Sequence, residues 1–335
     1  MRASALRRLA MTLPTLLVIS ALIFALLELA PGDPMAQLPD SIPAEVRADM
    51  AAALGLDQSG PVRYALWLRQ MLVVEPSVAL DRLLGTDLAE GAPRILSWQT
   101  RAPVMSLIAQ RLPQTLAVVG LAYLIGTLAA VALGVWSAAR QGTALDRAGT
   151  AVAAMGYGLP PYFTAAVLIY VFAIWLGWVP TVYDTTHRVT GWDSAAVQLR
   201  QIILPVAVLS LQTTAQITRY TRAAMLEALG QNYIRTARAK GLTQRRVLLR
   251  HALRNSWVAT LTVIALGAPQ VFAGAIITEQ IFGVNGIGQL LIQSLHVGDL
   301  PVVQTVTMLI AVLIVLANLA ADLLIARIDP RPDHG

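Results

Sequence analysis

Asn232-Tyr-Ile-Arg-Thr-Ala-Arg-Ala-Lys-Gly241 is the stretch of this chain whose residue types and spacing most clearly suggest a task. Asn is a good helix N-cap and Gly a good C-terminal stop, so the spacing predicts about two helical turns between Asn232 and Gly241. A helix this short is marginal alone and needs a surface to pack against. Tyr233, Ile234 and Ala237 offer a contact face, and Ala237 and Ala239 are small enough to allow close approach. Arg235, Arg238 and Lys240, with Thr236 between them, bring hydrogen-bonding groups and charge to meet an acidic rim. The chemistry this suggests is recognition: a capped basic helix that docks on a cytoplasmic partner. On spacing alone, two other readings stay open. The charge can serve only to orient the chain in a membrane, or it can bind anionic lipid headgroups.

Parts for covalent chemistry are missing. A phosphate-binding loop needs Lys directly after Gly, and the lone lysine, Lys240, precedes Gly241. Gly283-Val-Asn-Gly-Ile-Gly288 has the outline of a nucleotide turn but follows an apolar run, not a strand opening a βαβ unit. His187, His251, His296 and His334 are scattered without metal-ligand spacing, and cysteine is absent. Neither His-Glu-x-x-His nor Gly-x-Ser-x-Gly occurs. The expectation is no catalytic residue, no metal and no cofactor bound by this chain.

The elements that must position the short helix lie in a membrane. Charged residues are 13% of the chain, against roughly 25% in soluble domains, while hydrophobic residues are 56%. Mean hydropathy is +0.62 and the pI is near 10.0. Six runs are long enough, at about 20 helical residues each, to cross a bilayer: about 9–29, 115–139, 150–177, 201–219, 258–279 and 303–325. The first has a basic start but is too long for a signal-peptide core and ends without a small-x-small site, so it reads as an uncleaved span. The fold expected is all-α and polytopic, with six transmembrane helices.

Basic residues set the direction. Arg2, Arg7 and Arg8 precede the first span, Arg140 and Arg147 follow the second, and Arg327 and Arg331 follow the sixth. Between the fourth and fifth spans stand Arg219, Arg222, Arg235, Arg238, Lys240, Arg245, Arg246, Arg250 and Arg254 against one acid, Glu227. These connections are expected on the cytoplasmic side, with both termini. A DNA-binding helix-turn-helix is excluded, because spans flank the segment and leave no room for a three-helix core. Residues 1–105 then comprise the first span and a long extracytoplasmic loop, 106–328 the five-span core, and 329–335 a cytoplasmic tail. Within that loop, Ala44–Leu54 and Val62–Leu72 have helical spacing. Trp175, Trp178 and Tyr183 suit an aromatic belt at the outer interface.

The fourth span ends in Gln212, Thr213, Thr214, Gln216 and Thr218. Polar groups there face a water-filled cavity or bond neighbouring helices, and the sequence leaves both open. Asp322 is the ionisable residue placed deepest in a span, near its inner end. A series of intramembrane carboxylates is lacking, which counts against a proton-coupled secondary transporter, the alternative function.

The basic loop resembles the signature of inner-membrane permease subunits of ABC importers, a Glu-Ala-Ala pattern followed three residues later by Gly. The matching positions are Arg235, Thr236, Ala237 and Gly241, with Arg235 in place of Glu and no Pro at Leu253-Arg254. Tyr233 to Leu242 is similar to the dipeptide, oligopeptide and nickel uptake branch. Ala30-Pro-Gly-Asp-Pro34, Leu54-Gly-Leu-Asp57, His251-Ala-Leu-Arg-Asn255, Gly274 to Phe282, Asp299 to Gln304, Asn318 to Leu324 and Asp329-Pro-Arg331 follow in family order. Residues 80–105 match least. The resemblance implies a multi-pass subunit of a bacterial inner membrane, carrying peptides or a related solute such as chelated nickel. It implies a second permease, two cytoplasmic ATPase subunits that bind ATP and Mg, and an extracytoplasmic solute-binding protein. It does not imply nucleic acid. Broad peptide tolerance calls for a roomy, weakly specific cavity, for which Gln212, Thr213 and Gln216 are the candidates.

Overall fold

The computed structural model describes residues 2–29 and 57–328 of the 335-residue chain. Among the described residues the architecture is all-α, with a single isolated bridge between Leu96 and Pro103 and no strand. The expected helix Ala44–Leu54, the Ala30–Pro34 motif and the tail from 329 lie outside the described residues. Packing divides the chain into two compact units, one built mainly of Gln114–Gln289 and the other of Ala10–Pro113 with Leu290–Val312.

In chain order the helices are α1 (Arg2–Glu28), α2 (Gly60–Arg69), α3 (Glu75–Leu84), α4 (Val104–Ala139), α5 (Ala144–Gly158), α6 (Pro161–Leu168), α7 (Trp192–Leu229), α8 (Asn232–Ala239), α9 (Leu253–Phe282), α10 (Ile287–His296) and α11 (Leu300–Ile328). Among the described residues, five helical stretches are long and apolar enough to cross a membrane. Several outrun the spans read from hydropathy. At about 1.5 Å per residue, the 36 residues of α4 make roughly 54 Å, well beyond the ~30 Å of hydrocarbon.

The third expected span, 150–177, is not one helix. α5 and α6 meet at a bend of 109°, and the total reaches six spans if this pair counts as one. Its cause is local. Pro161 opens α6 at a position that Pro tolerates, and Leu159 and Pro160 are held extended with ψ of 129° and 144°. A residue before Pro disfavours helical geometry, so two consecutive prolines after Gly158 end one helix and start another.

In the unit around Gln114–Gln289, apolar side chains of α4, α6, α7 and α9 interlock, with Val118, Ala122, Ala165, Val208, Leu209 and Ala275 all buried. α4 and α7 cross closely because glycine lies at their contact. A Cβ added at Gly126 would stand 2.8 Å from Thr213 Cβ, and one at Gly134 would stand 2.7 Å from Thr221 Cβ. That proximity lets Thr214 donate to the Gly126 carbonyl at 3.1 Å and Thr218 to the Ala130 carbonyl at 3.3 Å. Trp175 and Trp178 are exposed, but Tyr183 does not join them at the surface. Its ring is buried in the core and its hydroxyl bonds the Gln198 carboxamide at 2.5 Å. Next to it, the Thr186 hydroxyl and N–H hold the Asp184 carboxyl below the usual carboxylate range.

In the other unit, α2 continues through a wide turn at Gln70–Val74 into α3. Tyr64 of α2 meets Phe24 of α1 at 5.3 Å between rings and bonds Ser20 at 2.7 Å, while Arg63 pairs with Glu28. Residues after α3 are ordered by two buried carboxylates. Glu75 pairs with Arg94 at 2.7 Å, and Asp299 accepts from Ser97 Oγ at 2.5 Å and from the Trp98 N–H at 3.0 Å.

Candidate functional site

α8 runs over Asn232–Ala239, and its ends differ in how well they follow the sequence. Gln231, not Asn232, occupies the N-cap position, in extended geometry and with no side-chain cap. The C-terminal end is as the spacing requires. Gly241 has φ +74°, its N–H bonds the Arg238 carbonyl at 2.9 Å, and the Leu242 N–H reaches back to the Ala237 carbonyl at 3.3 Å. This paired pattern ends the helix with a left-handed residue and satisfies carbonyls that would otherwise be orphaned.

The faces of α8 correct the contact surface read from the sequence. Ile234 is 0% exposed and Ala237 is 5% exposed, both already packed on this chain's own Ala138, Met225, Ala228, Val247 and Ala252. Tyr233, Arg235, Thr236, Arg238, Ala239 and Lys240 are exposed. The surface available to a partner is therefore polar, basic and centred on Tyr233 and Thr236, while the apolar row seats α8 from below. Beyond Gly241, a turn at Gln244–Arg246 and a wide turn at Val247–Ala252 lead without a break into α9. Wide helical turns of this kind are rare and frequently occur at functional sites.

Two arginines of the basic loop are engaged within the unit. Arg222 grips Asp146 with two bonds of 2.8 Å, and Ser137 Oγ and the Gly142 N–H complete the shell of that buried carboxylate. This ties the end of α4, the start of α5 and α7 together. Arg219 stacks at 5.0 Å over the ring of Tyr157.

Gln212, Thr213 and Gln216 come together on one side of α7. They line a cavity of about 200 Å³ with Leu209, with Gly156 and Tyr157 of α5, and with Gln270 and Val271 of α9. Gln216 donates to the Gln270 carboxamide oxygen at 3.3 Å. Thr213 is 5% exposed and its hydroxyl donates to the Leu209 carbonyl at 2.9 Å, so it contributes little free hydrogen-bonding capacity. The two alternatives for this span both occur: Thr214 and Thr218 bond α4, and the glutamines face space. Gln270 was legible in principle as a polar residue inside an apolar run, beside Pro269.

Glu279 was missed. Hydropathy puts it at the margin of the fifth span, yet its side chain is 0% exposed. Its carboxylate accepts from Thr115 Oγ1 of α4 at 2.7 Å, from the Gly288 N–H at 2.7 Å and from the Gln289 N–H at 3.4 Å. A side chain at Gly286 would overlap that carboxylate and one at Gly288 would stand 2.9 Å from it, so these two glycines make room for Glu279. Among the described residues, no group of His, Cys, Asp and Glu could hold a metal ion.

The chain was compared with known proteins. A family model described as the binding-protein-dependent transport system inner membrane component matches residues 130–334, and its N-terminal companion matches residues 1–119. The chain is 35% identical over 337 residues to the oligopeptide transport system permease protein AppB of Bacillus subtilis (strain 168), covering 100% of each. It is 37% identical over 327 residues to the probable peptide ABC transporter permease protein y4tP of Sinorhizobium fredii, covering 97% of each. Among solved structures, a chain of the inward-facing MetNI methionine ABC transporter is similar in fold, with a TM-score of 0.55 at 18% identity over 67% of this chain and 97% of that one.

Proposed function

The chain belongs to the family of binding-protein-dependent transport system inner membrane components, and on that premise we propose that it forms half of the path by which an ATP-driven importer moves peptides into a bacterial cell. The other half is a second permease, and a solute-binding protein delivers the substrate. Full-length similarity to peptide permeases supports the substrate class. Both termini are cytoplasmic in this reading, as the distribution of arginine favours.

The observation that carries the proposal is the two-faced character of α8. Its apolar row is spent on its own chain, and its exposed row offers Tyr233 and Thr236 among three basic side chains. Such a helix serves as the grip for a cytoplasmic ATPase subunit. Closure of the two ATPases draws on α8, and the packed seat beneath it passes the displacement to the long helices. The two states are biased only by differential affinity for nucleotide on the ATPase subunits, so this contact must carry the coupling. Peptide then passes a neutral cavity at Gln212, Gln216 and Gln270, which holds it weakly enough to release it.

Reconstitution with the partner subunits in liposomes tests this. Uptake of a tripeptide should require ATP and the binding protein. Uptake that survives ATP depletion but collapses with the proton gradient would establish the secondary carrier instead.

A further inference from the structure

The cavity beside α7 has a chemical character that goes beyond a water-filled passage. Gln212, Gln216 and Gln270 converge on it, and none of its lining residues is charged. A carboxamide carries two N–H donors and a carbonyl acceptor. The 3.3 Å bond from Gln216 to Gln270 uses one donor and one acceptor of the pair. It leaves the Gln216 carbonyl and the Gln270 amino group as an acceptor and a donor side by side. One residue of an extended peptide presents the reverse combination along one edge, its N–H and its C=O. At about 200 Å³ the cavity falls below the ~300–1,000 Å³ of sites that enclose a whole small molecule. It fits a segment of a solute.

We infer that this pocket is a subsite for the main-chain N–H and C=O of one extended residue of the substrate, read by the paired carboxamides of Gln216 and Gln270. The inference rests on the peptide reading above and names the part of the peptide that is held. An amide is common to every peptide, so the subsite accepts any sequence. None of the lining residues is charged, so the subsite pairs with the backbone and offers an ionised side chain no countercharge. Gln270 lies on α9 and Gln216 on α7. The acceptor and donor therefore stand side by side only while those two helices keep their present spacing, and a shift between them releases the amide.

The test uses the reconstituted complex with one binding protein throughout, and compares Ala-Ala-Ala, Ala-Lys-Ala, Ala-Glu-Ala and a trialanine N-methylated at its central residue. Copurification of the partner subunits checks that each variant folds. Gln270→Glu should raise the Ala-Lys-Ala to Ala-Glu-Ala uptake ratio by about tenfold relative to wild type, and Gln270→Lys should lower it by about as much. A merely structural role would move both peptides together. Gln216→Leu, which removes the carbonyl that accepts from the peptide N–H, should slow trialanine by about three- to tenfold and remove discrimination against the N-methylated form. If the charge variants leave the ratio unchanged, or Gln216→Leu keeps the wild-type discrimination, the subsite is wrong while the importer reading stands. A wild-type complex that hydrolyses ATP but imports none of these peptides overturns the peptide reading and the subsite with it.

Discussion

Replacing Gly241 tests the end of α8 with little steric ambiguity. Its φ of +74° lies in the left-handed region, and an added Cβ would meet nothing within 4 Å. The penalty for any other residue is therefore a backbone term. For an ordinary L-residue that term is about 1–2 kcal/mol, larger for a β-branched side chain and smaller for Asn, which visits this region readily. α8 has eight residues and little intrinsic stability to spare. A penalty of 1–2 kcal/mol lowers the ratio of capped to frayed helix by roughly 5–30-fold. The expected order for ATPase copurification and ATP-dependent uptake is Gly, then Asn, then Ala, then Val, with Val close to uncoupled and membrane insertion intact throughout. Wild-type transport by Gly241→Val, or an Asn variant as impaired as the Val one, would refute the reasoning. The first result would mean that the cap does not matter to docking, and the second that the loss is not conformational.

Further substitutions separate other roles. Ile234→Ala removes a side chain that is 0% exposed and should destabilise the seat of α8 by about 2–5 kcal/mol, lowering both the thermal midpoint in detergent and ATPase copurification. Tyr233→Ala, at a side chain 38% exposed, should weaken copurification while leaving the midpoint near wild type. Glu279→Ala strands the Thr115 hydroxyl and two backbone N–H groups, at about 1–3 kcal/mol for each buried donor left unpaired. Glu279→Gln keeps an acceptor and should fall between that variant and wild type. Proteolysis in the 283–289 turn checks this, and equal resistance in all three proteins would remove the anchoring role.

Much of the fold was legible because lipid imposes it. Apolar runs of membrane length located α1, α4, α7, α9 and α11. What hydropathy missed is local or tertiary. The 109° bend was written in Gly158-Leu-Pro-Pro161, but an average over 150–177 passes across it. Tyr183 was assigned to the surface on residue type, whereas its burial depends on Phe282 and Gln198 coming close. Arg222 was counted as one topological charge among nine, and its partner Asp146 lies 76 positions away, beyond the reach of any local pattern. Glu279 sat at the edge of an apolar window, where a carboxylate reads as inexpensive. Its burial follows from Thr115 on another helix and from a glycine turn that closes over it.

The seat of α8 also changes how force should be pictured crossing the subunit. Connected only through the turns after Gly241, α8 would pull on α9 as a lever pulls on a rod. In the structure Ile234 and Ala237 belong to one buried cluster with Ala138 of α4, Met225 and Ala228 of α7, and Val247 and Ala252 just before α9. A close-packed cluster of this kind resists compression and shifts between discrete arrangements instead of yielding gradually. A load on α8 therefore reaches α4, α7 and α9 together. Two of these helices, α7 and α9, carry the glutamines of the cavity, and the third is bound to α7 through Thr214 and Thr218. Moving α7 relative to α9 alters the Gln216–Gln270 pair directly. If α8 docks as proposed, it and the cavity are joined by the packing of α7 against α9, with the wide turn at Val247–Ala252 between α8 and α9.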